Sequence, residues 1–430
     1  MRDMWNITPH HRIHMTGSSN TINIVNAATK KLLAYCRSNE WAGYDPYDAL
    51  NSRLFLALPV LDSRIPRLVM TQALKRLPVN LRPLLAIPKT QNPKGMALFL
   101  SAFIRLARTG MYDRQELDEL TAFMIGHLSA SRSLVDGYSC WGYSFPWQTR
   151  TIVVPSGSPN LVCTTFVANA LFDAYDYCGN AQSLHMGLSA AGYILNELYW
   201  TANGAAGFSY PLPSVRNQVH NANFLGATLL CRAYSYTSDE RFLLPALQVA
   251  RYSAARQQVD GSWYYGEATS QRWIDNFHTG YNLCALRDLS RYTASTEFES
   301  VIRSGFGFYR QHFFGADGSV SYFHDRTYPF DVHSVAQSIY TLVTFKDLDS
   351  SNLPLAHSVL QWALKHLWDD RRGYFYYRVL RSHTNRISYM RWSQAWMFLA
   401  MSMLLEASGG DGTEGGDVPV RCGGAEEARD

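Results

Sequence analysis

The 430-residue sequence has no apolar run of membrane-spanning length, no CxxC pair and no block of like charge. Each absence removes a class of function. A membrane helix needs about 20 consecutive apolar residues, and Met1 to Asn20 is polar and His-rich, without the apolar core of a signal peptide. A soluble, cytoplasmic protein is therefore expected. Seven cysteines, Cys36, Cys140, Cys163, Cys178, Cys231, Cys284 and Cys422, are dispersed and odd in number. They read as free thiols of a reducing compartment rather than as a disulfide frame or a zinc knuckle. The formal charge of +4 comes with no basic run, so no nucleic-acid partner is expected. Arg outnumbers Lys, a bias compatible with bidentate binding of carboxylates or sulfates and equally with a genome-wide preference for Arg.

What is abundant is aromatic: 13% of the residues, within a hydrophobic share of 47% that can build a sizeable core. Many of these rings follow a glycine in alternation, as in Gly207-Phe208-Ser209-Tyr210, Gly261-Ser262-Trp263-Tyr264-Tyr265, Gly318-Ser319-Val320-Ser321-Tyr322 and Gly373-Tyr374-Phe375-Tyr376-Tyr377. The glycines stand at steps of 54, 57 and 55 residues, the mark of a structural repeat with length drift in its loops. Each unit has a short aromatic segment, a polar connection, a helix, a tight turn and a second helix. Aromatics so placed line ligand clefts or plug gaps between helices.

Apolar periodicity predicts a helix over 21–36, then pairs at 95–108 with 113–130, 160–178 with 182–200, 218–236 with 239–257, 276–293 with 296–313 and 331–346 with 352–368, and a last helix over 389–407. The six first helices want six partners. Five follow them in the chain, and the N-terminal helix supplies the sixth by packing on the C-terminal one. This pattern predicts an all-α (α/α)6 toroid over residues 21–408, with short aromatic hairpins at the mouth of its funnel, an arm over 1–20 and a disordered Gly- and Glu-rich tail over 409–430. Phe224 to Leu230 and Met397 to Met401 are apolar nearly all round, as inner helices must be. Six prolines break residues 53–93 into short helices. The enlarged segment from Asp136 to Asn160 is expected to overhang the funnel mouth.

Gln257-Gln258-Val259-Asp260-Gly261-Ser262-Trp263 resembles the QW repeat of triterpene cyclases, which ties neighbouring helices together, but the acidic DxDD motif of those enzymes is missing. Protein prenyltransferase β-subunits share the toroid, and their Asp/Cys/His zinc set has no counterpart here. The repeat region, with Arg391-Trp392-Ser393-Gln394-Ala395-Trp396 opening the last helix, is more similar to six-hairpin glycan-active enzymes: unsaturated glucuronyl hydrolases, toroid polysaccharide lyases and glucuronyl C5-epimerases. Through Gly43-Tyr44-Asp45-Pro46-Tyr47-Asp48 and the RWSQAW stretch it resembles VpsJ-like proteins of bacterial polysaccharide biosynthesis. The resemblance implies a polysaccharide or oligosaccharide substrate.

Three histidines, His220, His278 and His333, open first helices, and the repeat places them at equivalent positions around one funnel mouth with Arg391. Three kinds of chemistry fit. A uronate lyase or epimerase needs a base for the proton beside the carboxyl, from His278, Tyr281, His220, His333 or Tyr265, and groups such as Arg391, Arg150 and Asn221 to hold the acid. A glycosidase needs two carboxylates, for which Asp275 with Asp331 or Glu267 is available, although both aspartates stand where helix N-caps are expected. A non-catalytic glycan binder needs only the rings. Trp141, Tyr143, Trp263, Tyr322 and Trp392 are the candidates for stacking on sugars, with Tyr44 and Asp45 at the rim. The histidines lie on separate repeats without ligand spacing, and no metal or cofactor is expected.

Overall fold

The computed structural model describes residues 18–57, 63–149 and 152–409. The N-terminal arm up to residue 17, the tail from residue 410 and Arg150 lie outside the described residues. The helices are α1 (Ser18–Ser38), α2 (Arg53–Leu56), α3 (Arg64–Arg76), α4 (Pro93–Thr109), α5 (Arg114–Ala130), α6 (Leu161–Cys178), α7 (Ala181–Tyr193), α8 (His220–Thr237), α9 (Glu240–Ala254), α10 (Asn276–Thr293), α11 (Glu299–His312), α12 (Val332–Thr344), α13 (Asn352–His366) and α14 (Trp396–Gly409).

Local chemistry sets their ends. The Asn92 side chain accepts from the Lys94 amide, Pro93 fills the first helical position of α4, and Gly110 ends it in the left-handed region at φ 66°. Asn160, Asp275 and Asp331 cap α6, α10 and α12 in the same manner. The inner helices α4, α6, α8, α10, α12 and α14 each pack on the next, and α14 packs back on α4, which closes the ring. Outside them lie α5, α7, α9, α11 and α13, each against the inner helix that precedes it, and α1 against α14. The fold is an (α/α)6 toroid. Its inner helices are buried nearly all round by apolar side chains, so the described residues fill the ring with a packed core.

The repeating turn is built on glycines of positive φ: Gly137, Gly204, Gly261, Gly318 and Gly373, all between 72° and 90°. In the unit indexed from sequence on Gly207, the turn glycine is Gly204. Asn203 and Gly204 join the paired strands Tyr199–Ala202 and Ala205–Phe208, which puts Gly207 inside a strand. Three of these glycines touch the next outer helix. A Cβ would come within 2.4 Å of the Ser304 carbonyl at Gly261, 2.6 Å of Ser358 at Gly318 and 2.8 Å of Lys31 at Gly373. Those carbonyls belong to α11, α13 and α1, so α1 is gripped as the other outer helices are. Gln257 adds a bond from Nε2 to the Val301 carbonyl of α11 at 2.9 Å, tying two hairpins together.

The two ends of the ring differ. Near their C-terminal ends the inner helices present Arg105, Asp173, Arg232, Asp288, Tyr340 and Glu406, one from each helix. Arg105 pairs with Glu406 at 2.5 Å and Arg232 with Asp173 at 2.8 Å. The opposite end, where the inner helices begin, holds the cavity.

Candidate active site

A cavity of about 620 Å³ opens over the N-terminal ends of the inner helices. Every inner helix contributes a residue at or just before its start: Lys94, Val162, Asn221, His278, His333, and Trp392 from the π-helical turn Met390–Ala395 that leads into α14. The walls are aromatic. Tyr143, Phe145 and Trp147 come from the enlarged 136–160 segment, and Tyr47, Gln72 and Lys75 from the stretch between α1 and α4. Tyr265 and Trp273 stack at 4.5 Å with 12° between their planes, beside His278. Three buried polar atoms of lining residues, Trp147 Nε1, Asn221 Oδ1 and His333 Nδ1, have no hydrogen-bond partner among the described residues. Trp147 Nε1 is thus left as a donor and Asn221 Oδ1 as an acceptor for a polar ligand.

Two hydrogen-bonded pairs face this space. His278 Nδ1 lies 2.7 Å from Asp275 Oδ2, and the other carboxylate oxygen accepts from the His278 amide at 2.9 Å. Trp273 Nε1 fixes Asp275 from a third side at 2.9 Å. The carboxylate thereby orients the ring with Nδ1 as donor and leaves Nε2 as the basic nitrogen. One helical turn on, Tyr281 Oη lies 2.6 Å from His333 Nε2. Burial, then Lys94, Arg391 and His278, pushes His333 well below the ordinary imidazole value, and burial pushes the Tyr281 phenol well up. With both groups neutral, the phenol is assigned as donor and the ring proton sits on Nδ1, which has no partner among the described residues.

The sequence-level candidates separate into those that reach the cavity and those that do not. His278, Asp275, Tyr281, His333, Tyr265, Asn221, Tyr143, Tyr322, Arg391 and Trp392 line it. His220 does not. It is the first residue of α8, whereas His333 is the second of α12 and His278 the third of α10. The three histidines therefore stand at three helical phases rather than at one repeat position, and each step rotates the side chain by about 100°. His220 turns back between layers, with Nδ1 3.3 Å from Ser253 Oγ of α9, and burial pushes it down to about 4. Asp331 is buried below the wall. It caps α12, pairs with Arg378 at 2.6 Å and accepts from Trp392 Nε1 at 3.0 Å. Trp141 and Trp263 belong to the core, with Nε1 bonded to the carbonyls of Leu128 and Ser253 respectively. Tyr44 faces a separate depression beside Lys89, Arg372 and Arg386. Asp45 is buried in a bidentate pair with Arg391, at 2.8 and 2.9 Å. Glu267, at the surface, pairs with Arg256 at 3.1 Å.

Lys94 is one of the site residues that sequence reasoning missed, with Lys75, Trp273 and Arg326. It is 3% exposed and its ammonium sits over the rings of Phe166 at 3.9 Å, Trp396 at 5.3 Å and Tyr281 at 5.4 Å. The available signal was its place behind an Asn-Pro helix start, the second position of an inner helix.

No family model and no curated protein matches the sequence. Solved structures do. A cellobiose 2-epimerase from Bacillus thermoamylovorans superposes with a TM-score of 0.63 at 10% identity, over 90% of this chain and 99% of that one. A family 76 glycoside hydrolase (mannosidase) from Bacteroides thetaiotaomicron gives 0.58 at 11% identity, over 90% and 98% of the two chains. An unsaturated glucuronyl hydrolase specific for heparin gives 0.57 at 11% identity, over 90% and 97%. What these likenesses establish is the architecture: the chain has the (α/α)6 toroid fold that an epimerase, a mannosidase and a glucuronyl hydrolase share.

Proposed function

We propose that the protein is a carbohydrate-active enzyme that abstracts a carbon-bound proton from a sugar, in the manner of a lyase or epimerase acting on a uronic-acid-containing glycan. The observation that carries this reading is the placement of the Asp275–His278 and Tyr281–His333 pairs on one aromatic cavity. His278 is the base, with Nε2 free to take the proton beside the carboxyl. Tyr281 is the acid, its phenol backed by His333. His278 and Tyr281 stand one turn apart on α10, their ring centroids 6.0 Å apart. Proton removal and delivery from one side of the sugar suit β-elimination better than inversion through opposite faces. In the elimination, the C5–H electrons form the C4–C5 double bond and the C4–O bond breaks to an alcohol protonated by Tyr281.

Hydrolysis by paired carboxylates has less support. Asp275 is the sole carboxylate among the described lining residues, and it is committed to His278 and Trp273. The cavity volume falls within the about 300–1,000 Å³ of small-molecule sites, and stacked rings are the usual platform for sugar faces. The resemblance to VpsJ-like proteins and the toroid neighbours point to the same substrate class.

The test is incubation with a panel of uronic and neutral glycans in heavy water, following double-bond absorbance, deuterium at C5 and new reducing ends. Absorbance or deuterium gain is expected, and His278→Gln should lower kcat by about 100-fold or more. New reducing ends without either signal would replace this reading with hydrolysis.

A further inference from the structure

The cavity is short of negative charge. Lys75, Lys94, Arg326 and Arg391 line it against Asp275. Three of the four cations are occupied. Arg391 is held by Asp45, Arg326 pairs with Asp325 at 2.9 Å, and Lys75 lies 2.8 Å from the Tyr47 hydroxyl. The Lys94 ammonium takes part in no ion pair among the described residues and sits against three rings instead. The inner helices also begin here, and helix N-termini carry partial positive charge that favours an anion.

We propose that Lys94 anchors the anionic group of an acidic sugar, a carboxylate or a phosphate, and that binding of this group draws a proton onto the amine. The inference rests on the reading of the cavity as a sugar site. The titratable groups nearest Lys94 are Arg391 from the π-helical turn, Cys163 on α6, Tyr281 on α10, His333 on α12 and, farther off, Asp45. None of them is an unpaired carboxylate. Burial, then the neighbouring Arg391, pushes the Lys94 ammonium well below its ordinary value. An ammonium taken out of water needs a paired anion to remain charged. A ligand carboxylate or phosphate supplies that anion and restores the proton, whereas a neutral sugar does not.

The experiment is calorimetric titration of the full chain at neutral pH with glucuronate, glucose 6-phosphate and glucose, each in two buffers of different ionisation enthalpy. Tryptophan fluorescence from Trp273 and Trp392 reports occupancy in parallel. At least one acidic sugar should bind about 30-fold or more tightly than glucose, with uptake of about one proton per site. Whichever acid is preferred identifies the group as carboxylate or phosphate. In Lys94→Met the preference and the uptake should both vanish. Equal affinity for all three sugars, no proton uptake by the wild-type chain, or uptake that survives in Lys94→Met overturns the inference. The buffer comparison on the wild-type chain decides the matter even if the variant misfolds. Should carbon-bound hydrogen exchange proceed without any anion preference, this inference fails and the proton-abstraction reading stands. Should no sugar bind at all, both fail.

Discussion

His220 and His278 show how one helical position separates two identical side chains. Both open an inner helix, yet one is sealed between layers against Ser253 and the other is tethered to Asp275 on the cavity wall. The sequence made both legible as helix-opening histidines, but their phase was hidden, because it depends on whether the cap is Val219 or Asp275 and on how many residues follow it. Lys94 escaped notice for the opposite reason. A lysine near a helix start reads as surface until three repeats fold aromatic rings around it. The sealed histidine has a measurable consequence. Its folded-state value of about 4 lies below the ordinary 6.5, so the fold prefers the neutral ring. That stability is fully present above 6.5 and erodes as pH falls towards 4, because the unfolded chain binds the extra proton. The erosion is about 3 kcal/mol for this ring. Denaturant unfolding at pH 7 and pH 4.5 should show it, and His220→Gln should flatten that part of the slope. His333, also held neutral, adds to the loss in the same direction.

At the scale of the element, the helices were the most legible part of the chain. Their apolar faces are long, and their ends carry Asn, Asp, Pro and Gly signals that act locally. The toroid itself followed from the unpaired first and last helices. The hairpin turns were harder. Gly207 resembled the later glycines because aromatics follow it, whereas the residue that matters is the one that must adopt positive φ. The structure also distinguishes turns that need glycine for conformation alone from those that need it for contact. Gly318 has φ 84° and no room for a Cβ against Ser358, while Gly137 has the same φ and nothing within 4 Å. Gly318→Ala should therefore cost about 3 kcal/mol, and Gly137→Ala only about 1 kcal/mol. Thermal or denaturant unfolding of the two variants side by side measures the difference.

At the scale of the whole molecule, twelve helices in two rings bring the starts of six inner helices to one place, and the site is the sum of their first turns. This is why its residues are scattered from Tyr47 to Trp392 in sequence. No segment of the chain carries the site by itself, and the motifs legible in the sequence were those that hold the rings together. The far end is closed by the Arg105–Glu406 and Arg232–Asp173 pairs beneath a packed apolar core. A blind-ended well admits a polymer by its tip and cannot let the strand run through. Under the proposed function, such a well should trim or edit a glycan from a terminus, one or two sugars at a time. Chromatography of a size-defined acidic glycan during turnover should show mono- or disaccharide products from the earliest time points while the parent chain shortens gradually, and capping the reactive terminus of that glycan should stop the reaction.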